Sequence, residues 1–293
     1  MKLSLGIMAY NEAANMADLL DAVLGQQLNE AEITEIYVVS SASTDGTDDI
    51  VRGYSQRDSR IRLIVQEQKM GKAAAINEYL KVAAGDILIV ESGDTLPLED
   101  TFANLIKPFA AQGVGMTGAH PVPLNKEEGL LGFTVHFLWR LHHRLNLEQP
   151  KLGELIAFRP LLRELPTDTA VDEAWIEGRI RELGYWPAYA ADALVYNKGA
   201  ETIADFWVQR RRIYCGHIHL KKTLGYEVSS FKTSSTLKLA WEEVREHQDP
   251  LPYVLGAALL ELTGRLLGWF DFHIRKKNPY SWDVAESTKD LHP

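Results

Sequence analysis

The chain has 293 residues, 46% of them hydrophobic and 24% charged, with a formal net charge of −9. That length accommodates one large domain plus an appendage, and the acidic balance excludes nucleic acid as the main partner, since a phosphate backbone demands a basic footprint. The single cysteine, Cys215, excludes an intramolecular disulfide and a thiolate metal cluster and fits a reducing, cytoplasmic setting.

Leu3 to Ala9 reads as a first strand ending at Tyr10-Asn11-Glu12, its apolar stretch being too short for a signal peptide. Met16, Leu19, Leu20, Val23 and Leu24 then fall at helical spacing. Ile36 to Val39 forms a second strand that ends in S-S-A-S-T-D-G-T, a loop presenting hydroxyls and backbone N–H groups above the sheet. Ile61 to Val65 is a third strand. Gly71-Lys72 opens the next helix, through Ala73, Ile76, Leu80 and Ala83, and lacks the earlier glycine and the following Ser or Thr of a P-loop. Ile87 to Val90 is apolar on both faces, as interior strands of parallel sheets are. It runs into Glu91-Ser92-Gly93-Asp94. Ligands of open α/β sheets bind beyond the carboxyl ends of the strands, and carboxylates there suit a hard divalent cation. The alternation predicts βαβ units and an α/β fold with a doubly wound, mainly parallel sheet.

The second half changes character. Val114 to Gly118 and Leu155 to Phe158 read as strands, Gly129 to Leu147 as a helix, and Trp186 to Tyr189 and Leu194 to Tyr196 as two late strand pieces. His136, His142 and His143 on the helix have no metal-ligand spacing such as H-E-x-x-H. Pro166-Thr167-Asp168 leads into a helix that opens with Asp172 and Glu173 and stops at Gly184, and a basic helix, W-V-Q-R-R-R-I-Y-C-G-H-I-H-L-K-K, follows. Tyr253 to Phe272 is apolar and about long enough to cross a bilayer. Glu261 and Arg265 sit in its middle, however, each costing roughly 2.5–3.5 kcal/mol at the centre of a spanning helix. Glu261, Gly264, Arg265 and Gly268 share a narrow face, opposite a wide side with Val254, Leu255, Leu259, Leu262, Leu266 and Trp269. The expectation is packing within the protein or on a second subunit. The alternative is an interfacial helix on the inner membrane face, helped by Arg275, Lys276 and Lys277.

Together these motifs resemble those of the family-2 glycosyltransferases of GT-A fold, from the N-terminus to about residue 222. A-Y-N-E at Ala9–Glu12 resembles their opening motif, S-S-A-S-T-D-G-T their D-D-G-S-T-D-G-T, and G-K-A-A-A-I-N their G-K-x-x-A-L-N. S-G-D-T-L-P is similar to their D-A-D-T-x-P metal motif, and G-E-L-I-A-F-R to their acceptor-side G-x-x-x-A-x-R. Asp172-Glu173 stands where they have E-D, and Q-R-R-R-I where they have Q-x-x-R-W. There are departures. Ser92 replaces the first aspartate of the metal motif, leaving Asp94 as the matching ligand, with Glu91 expected to point away because side chains alternate along a strand. Ser40 and Ser41 replace aspartates near the nucleotide base, and Ile213 the tryptophan that accompanies processive synthesis.

The resemblance implies an inverting transferase that moves a sugar from a nucleotide-diphosphate donor to an acceptor hydroxyl, assisted by Mg²⁺ or Mn²⁺ on Asp94. It implies Glu173 as general base, with Asp172 the runner-up. On the donor side it implies Ala9, Asn11, Glu12, Ser41, Asp45, Lys72, Ser92, Gly93, Asp94, Gln209, Arg211 and Arg212, and on the acceptor side Gly153, Glu154 and Arg159. Three successive arginines, Arg210 to Arg212, on an acidic protein suit a diphosphate clamp. The domains expected are a transferase domain at 1–222, its halves 1–118 for the donor and 119–222 for the acceptor, and a helical extension at 223–293. The acceptor, a saccharide or a lipid-linked one, is not readable. The rivals are a nucleotide-sugar-binding protein without catalysis and a nucleotidyltransferase on a similar sheet. The second would carry a Gly-rich basic loop where this chain has Y-N-E-A-A-N.

Overall fold

The computed structural model describes residues 1–229, 233–277 and 285–291. Its centre is an eight-stranded sheet. The strands are β1 (Lys2–Ala9), β2 (Glu32–Ser41), β3 (Ile61–Gln66), β4 (Ile87–Ser92), β5 (Thr95–Pro97), β6 (Val114–Pro123), β7 (Ile156–Phe158) and β8 (Trp186–Asn197), in spatial order β3-β2-β1-β4-β7-β6-β8-β5. The pairings β1–β2, β1–β4, β2–β3 and β6–β8 are parallel, whereas β7 enters antiparallel between β4 and β6, and β5 pairs antiparallel with β8. The expected mainly parallel arrangement is present, made mixed by β7 and β5. The two late strand pieces are one strand, β8, whose register shift against β6 explains the break in its sequence pattern.

Apolar residues on both faces of the inner strands make two cores. Leu3, Leu5 and Ile7 of β1 pack with Met16, Leu19 and Leu20 of α1 (Met16–Leu24) and with Phe102 and Leu105 of α4 (Thr101–Ile106). Met8, Leu88 and Val90 point the other way, onto Ile76 and Tyr79 of α3 (Lys72–Leu80) and Ile176 and Ile180 of α6 (Asp172–Glu182). Each such side chain, wholly removed from water, contributes about 1.5–3 kcal/mol. Only glycine fits at position 6: a Cβ there would lie 2.6 Å from the Tyr79 ring, whose hydroxyl donates to the Ser4 carbonyl at 2.7 Å.

The order of the sheet creates the functional crevice. β4 lies fourth and β5 last, yet Gly93 and Asp94 alone join them, so the sheet must curl to bring the C-terminal end of β4 toward the end of β8. Glu91, the penultimate residue of β4, points into the core as its place in the alternation requires. It is 0% exposed, and Oε1 accepts from the Thr95 hydroxyl at 3.1 Å. Burial lifts this carboxyl from 4.5 to about 8, the Thr95 hydrogen bond offsetting only part. The native state then holds the proton more tightly than the unfolded chain, so stability falls as pH rises between those two values. Glu91→Gln is expected to remove that slope, gaining on the order of 3 kcal/mol near pH 8 and little near pH 4. Urea melts at both pH values check this; a slope unchanged by the substitution would mean that Glu91 is ionised in the folded protein.

A helical layer closes the crevice: α5 (Gly129–Glu148), α7 (Ile203–Leu224), α8 (Thr233–His247) and α9 (Leu251–His273). Phe133 and Phe137 of α5 meet Val244 of α8 and Ala257 of α9, and Arg140 reaches Glu243 at 2.8 Å and Asp249 at 2.7 Å. α7 runs through the expected boundary at residue 222. α9 lies along it, with Gly264 facing Arg210 Cβ, where a Cβ would lie only 2.6 Å away, and Gly268 facing the Arg211 carbonyl, where a Cβ would be tight at 3.0 Å. The C-terminal helix therefore packs within the protein, as expected, and does so through its glycine-bearing face.

Candidate active site

A cleft of about 510 Å³ runs from the C-terminal ends of β1, β2 and β4 to the helical layer, a size typical of sites for small ligands. Its sheet end carries Ala9, Tyr10, Glu12, Ser41, Ser92 and Asp94, with Lys72 from the first turn of α3. The loops there are tied to one another. Asn11, at φ +52°, accepts from the Thr44 amide at 2.8 Å, while its own amide donates to Ser43 Oγ at 3.0 Å. Asp45, just before the Gly46 N-cap of α2 (Thr47–Ser55), accepts from the Thr47 amide at 3.1 Å and from Ala13 N at 2.9 Å. Gly93 donates to the Met8 carbonyl at 2.9 Å, and a Cβ on it would meet Glu12 Cγ at 2.7 Å. Asn11, Asp45 and Gly93 thus shape the rim of the cleft and do not line it.

Asp94 lines the cleft and has no protein partner among the described residues. Two more carboxylates feel its charge. Glu12 is raised to about 8 by burial and then by Asp94, despite an ion pair with Lys289; Glu154, at φ +60°, is raised to about 7 by burial and then by Asp94. Such crowding of acids favours a bound cation. Among the described residues no three acidic, imidazole or thiol groups converge as a cage. The donor set therefore fits a hard divalent ion held by one carboxylate and completed by phosphate oxygens and water.

Across the cleft, α6 begins at Asp172. Lys72 Nζ lies 2.5 Å from Glu173 Oε1 and 2.9 Å from Ser92 Oγ, so one cation bridges the end of β4 and the start of α6. Burial would pull Lys72 down, but Glu173, Asp172 and Glu154 outweigh it and hold it protonated. Burial also opposes ionisation of Glu173, and Lys72 reverses that, leaving its carboxyl below the usual range. Asp172 is different. It is 4% exposed, its Oδ1 has no hydrogen-bond partner among the described residues, and burial followed by repulsion from Glu173 drives its carboxyl well above the usual range.

The arginine run divides by helix geometry. Gln209, Arg210 and Arg212 line the cleft, and Arg212 has no hydrogen-bond or ion-pair partner among the described residues, though its charge favours ionisation of Glu154, Asp172 and Glu173. Arg210 pairs with Glu261 at 3.6 Å, and Arg211 with the wholly buried Asp271 at 2.6 Å. Arg211 is therefore an anchor for α9, outside the cleft. Arg159 is outside it too. Its guanidinium donates to the carbonyls of Val114 at 2.8 Å and Phe109 at 3.1 Å, bracing β7 against the turn after α4, while Gly153 and Glu154 of the same motif do line the cleft. The three histidines of α5 bond to protein atoms: His136 to the Asn125 carbonyl, His142 to that of Lys151 and His143 to the Tyr189 hydroxyl.

Several lining residues have no signature in the sequence. Lys289, near the C-terminus, reaches the Tyr10 carbonyl at 3.2 Å, and Lys69 stands 3.7 Å over the Tyr10 ring. Trp139 and Lys151 line the far end, where burial lowers the Lys151 ammonium to about 8. Glu261 and Arg265, read in sequence as obstacles to a membrane span, face the cleft from α9, 2.8 Å apart.

The comparisons agree with this geometry. Curated relatives include a glycosyltransferase, AglE, of Haloferax volcanii, 29% identical over 39% of this chain and 37% of the relative. A dolichyl-phosphate beta-glucosyltransferase of Trichomonas vaginalis is 31% identical over 44% of this chain and 37% of its own. The chain thus aligns with little more than a third of the length of either. Among solved structures, a mannosyltransferase of Pyrobaculum calidifontis in complex with GDP-Man and Mn²⁺ superposes with a TM-score of 0.67 at 22% identity, covering 94% of this chain and 88% of that one. Glucosyl-3-phosphoglycerate synthase of Mycobacterium tuberculosis, with Mn²⁺, UDP and phosphoglyceric acid, superposes at 0.54 and 18% identity, covering 78% and 80%. These likenesses establish a GT-A type fold. The family model for glycosyl transferase family 2 matches residues 4–163, more than half of the chain, and the protein belongs to that family.

Proposed function

We propose that the protein is an inverting glycosyltransferase that takes a sugar from a nucleotide-diphosphate donor and places it on an acceptor hydroxyl. The observation that carries this reading is one cleft lined by Asp94 and Arg212, neither with a hydrogen-bond or ion-pair partner among the described residues, and by a buried Asp172 whose Oδ1 has no hydrogen-bond partner among them. Family membership and the fold shared with nucleotide-bound transferases support it. Asp94 would hold Mg²⁺ or Mn²⁺, which when bound offsets the charge on the departing diphosphate. Arg212 and Lys72 add positive charge from the protein. Tyr10 and Ser41 border the end of the cleft suited to the base.

For the general base we assign Asp172 in place of Glu173, which alignment favours. Glu173 is held ionised by Lys72, and that ion pair lowers its appetite for a proton. Asp172 has the raised affinity a base needs near neutral pH. It takes the acceptor's hydroxyl proton as the oxygen bonds to the anomeric carbon; the bond from that carbon to the phosphate oxygen breaks, and the nucleoside diphosphate leaves on the opposite face. A single displacement of this kind inverts the anomeric centre.

Thermal shift with UDP-, GDP- and dTDP-sugars, with and without Mn²⁺, tests the donor class. One nucleotide class is expected to raise Tm by roughly 5 °C at about 100 times its Kd, in a Mn²⁺-dependent way. The same donor should release its nucleoside diphosphate when a competent acceptor is supplied. If no nucleotide sugar shifts Tm under either condition, the reading fails.

A further inference from the structure

α9 is oriented against the ordinary rule for a surface helix. Its inward face carries Ala257, Gly264, Gly268 and the buried Asp271, and its outward face carries Leu255, Leu259, Leu262, Leu266, Trp269 and Phe270, from 41% to 69% exposed. The reversal is fixed by packing. Gly264 and Gly268 let α7 approach, Arg211 and Arg275 pair with Asp271, and Arg265 donates to Glu261, with Arg210 a further 3.6 Å ion pair. Turning the leucines inward would bury bulk where no room exists and take Glu261 and Asp271 away from Arg210 and Arg211 of α7. A helix of roughly 34 Å thus presents a continuous apolar stripe to its surroundings, more than a solvated monomer ordinarily leaves bare.

We infer that this face docks on an anionic lipid bilayer, the helix lying in the interface plane. Charge complementarity decides the occupant. The acids of α9, Glu261 and Asp271, are turned inward, and the helix runs directly into Arg275 and Lys276, both exposed, and Lys277. On a chain of net charge −9 this rim is a local reversal of sign, suited to acidic headgroups. Trp269, exposed near the basic end, is the kind of ring that favours the headgroup boundary. A helix crossing the bilayer is not what the packing supports, because α5 and α7 hold α9 from Ala257 to Asp271 and leave one side alone for lipid. Glu261 and Arg265 on its inner side line the cleft, so docking would set the far end of the active site beside the membrane.

Co-sedimentation of the full chain with phosphatidylcholine vesicles, with and without phosphatidylglycerol, tests this. Binding is expected to need the anionic lipid and to weaken as salt rises. Leu259→Glu combined with Leu266→Glu should abolish it, and Arg275→Ala with Lys276→Ala should weaken it by roughly tenfold or more. The second pair lies at the exposed rim and leaves Asp271 paired with Arg211, so it reports even where the first fails to fold; unchanged circular dichroism and thermal unfolding verify each. No binding to anionic vesicles overturns the inference, as does binding to neutral vesicles that ignores salt and the basic pair. A lipid-free dimer that Leu259→Glu and Leu266→Glu make monomeric, with no vesicle binding by the parent chain, would assign the face to a second copy.

Discussion

Asp172→Asn is expected to lower kcat by about 10²- to 10⁴-fold while leaving donor affinity nearly unchanged. The asparagine keeps the size and one oxygen of the carboxylate but cannot accept the acceptor's proton. Because Asp172 stands in the first turn of α6 with Oδ1 unpartnered, the change removes no hydrogen bond that the fold uses at that atom. Glu173→Gln should behave otherwise. It strands the Lys72 ammonium, which lies 2.5 Å from Glu173, and through Ser92 that lysine touches the end of β4. The expected effect is a raised KM for the donor with a smaller loss of kcat. The pH profile separates the two further. The base must be ionised, so kcat/KM of the parent enzyme should fall as pH drops through the raised pKa of Asp172, giving a limb well above the usual carboxylate range. Release of nucleoside diphosphate, followed across pH for parent and both variants, gives all these quantities. A larger kcat loss in Glu173→Gln would return the base to Glu173; full turnover in both variants would reduce the pair to a helix-start feature.

What the sequence reveals of this site follows the range of the signals involved. Strands β1, β2 and β4 are legible because a buried parallel strand must be apolar on both faces, and Asp94 because it directly follows one. The inward turn of Glu91 follows from alternation alone. Alternation says nothing about which strands are neighbours, so the antiparallel entry of β7 and the curl that brings β5 beside β8 have no local trace. The arginine run shows the same limit: Arg210, Arg211 and Arg212 read alike, and their roles are divided by Glu261 and Asp271, more than fifty residues later. Lys289 has no motif and reaches the cleft only because the C-terminal segment crosses back over α1, where Asn15 Oδ1 accepts from Leu291 N at 3.0 Å. For α9 the usual inference from amphipathicity points the wrong side inward. Its charged face could be the buried one only because α7 supplies the partners.

Asp94→Asn is expected to abolish Mn²⁺-dependent stabilisation by the donor and to reduce transfer by about 10²-fold or more. Two features make the effect large. Ser92 stands where the family motif has its first aspartate, and its hydroxyl already receives Lys72, so it offers no charge in compensation. Glu91, the nearest carboxylate in sequence, is sealed in the core on the far side of β4 and cannot turn to the cleft without exposing its neighbours. Glu12 is committed to Lys289. The fold itself should be indifferent, since the Asp94 carboxylate has no partner among the described residues; Tm without ligand is expected to match the parent's. The informative comparison is therefore the thermal shift produced by donor with Mn²⁺, by donor alone and by Mn²⁺ alone, in both proteins. Loss of the Mn²⁺-dependent part, with any metal-free donor shift retained, assigns the cation to Asp94 and leaves Arg212 and Lys72 as the remaining phosphate contacts. A variant that keeps the full Mn²⁺-dependent shift and full transfer would show that the diphosphate is neutralised by those side chains and that Asp94 holds no metal.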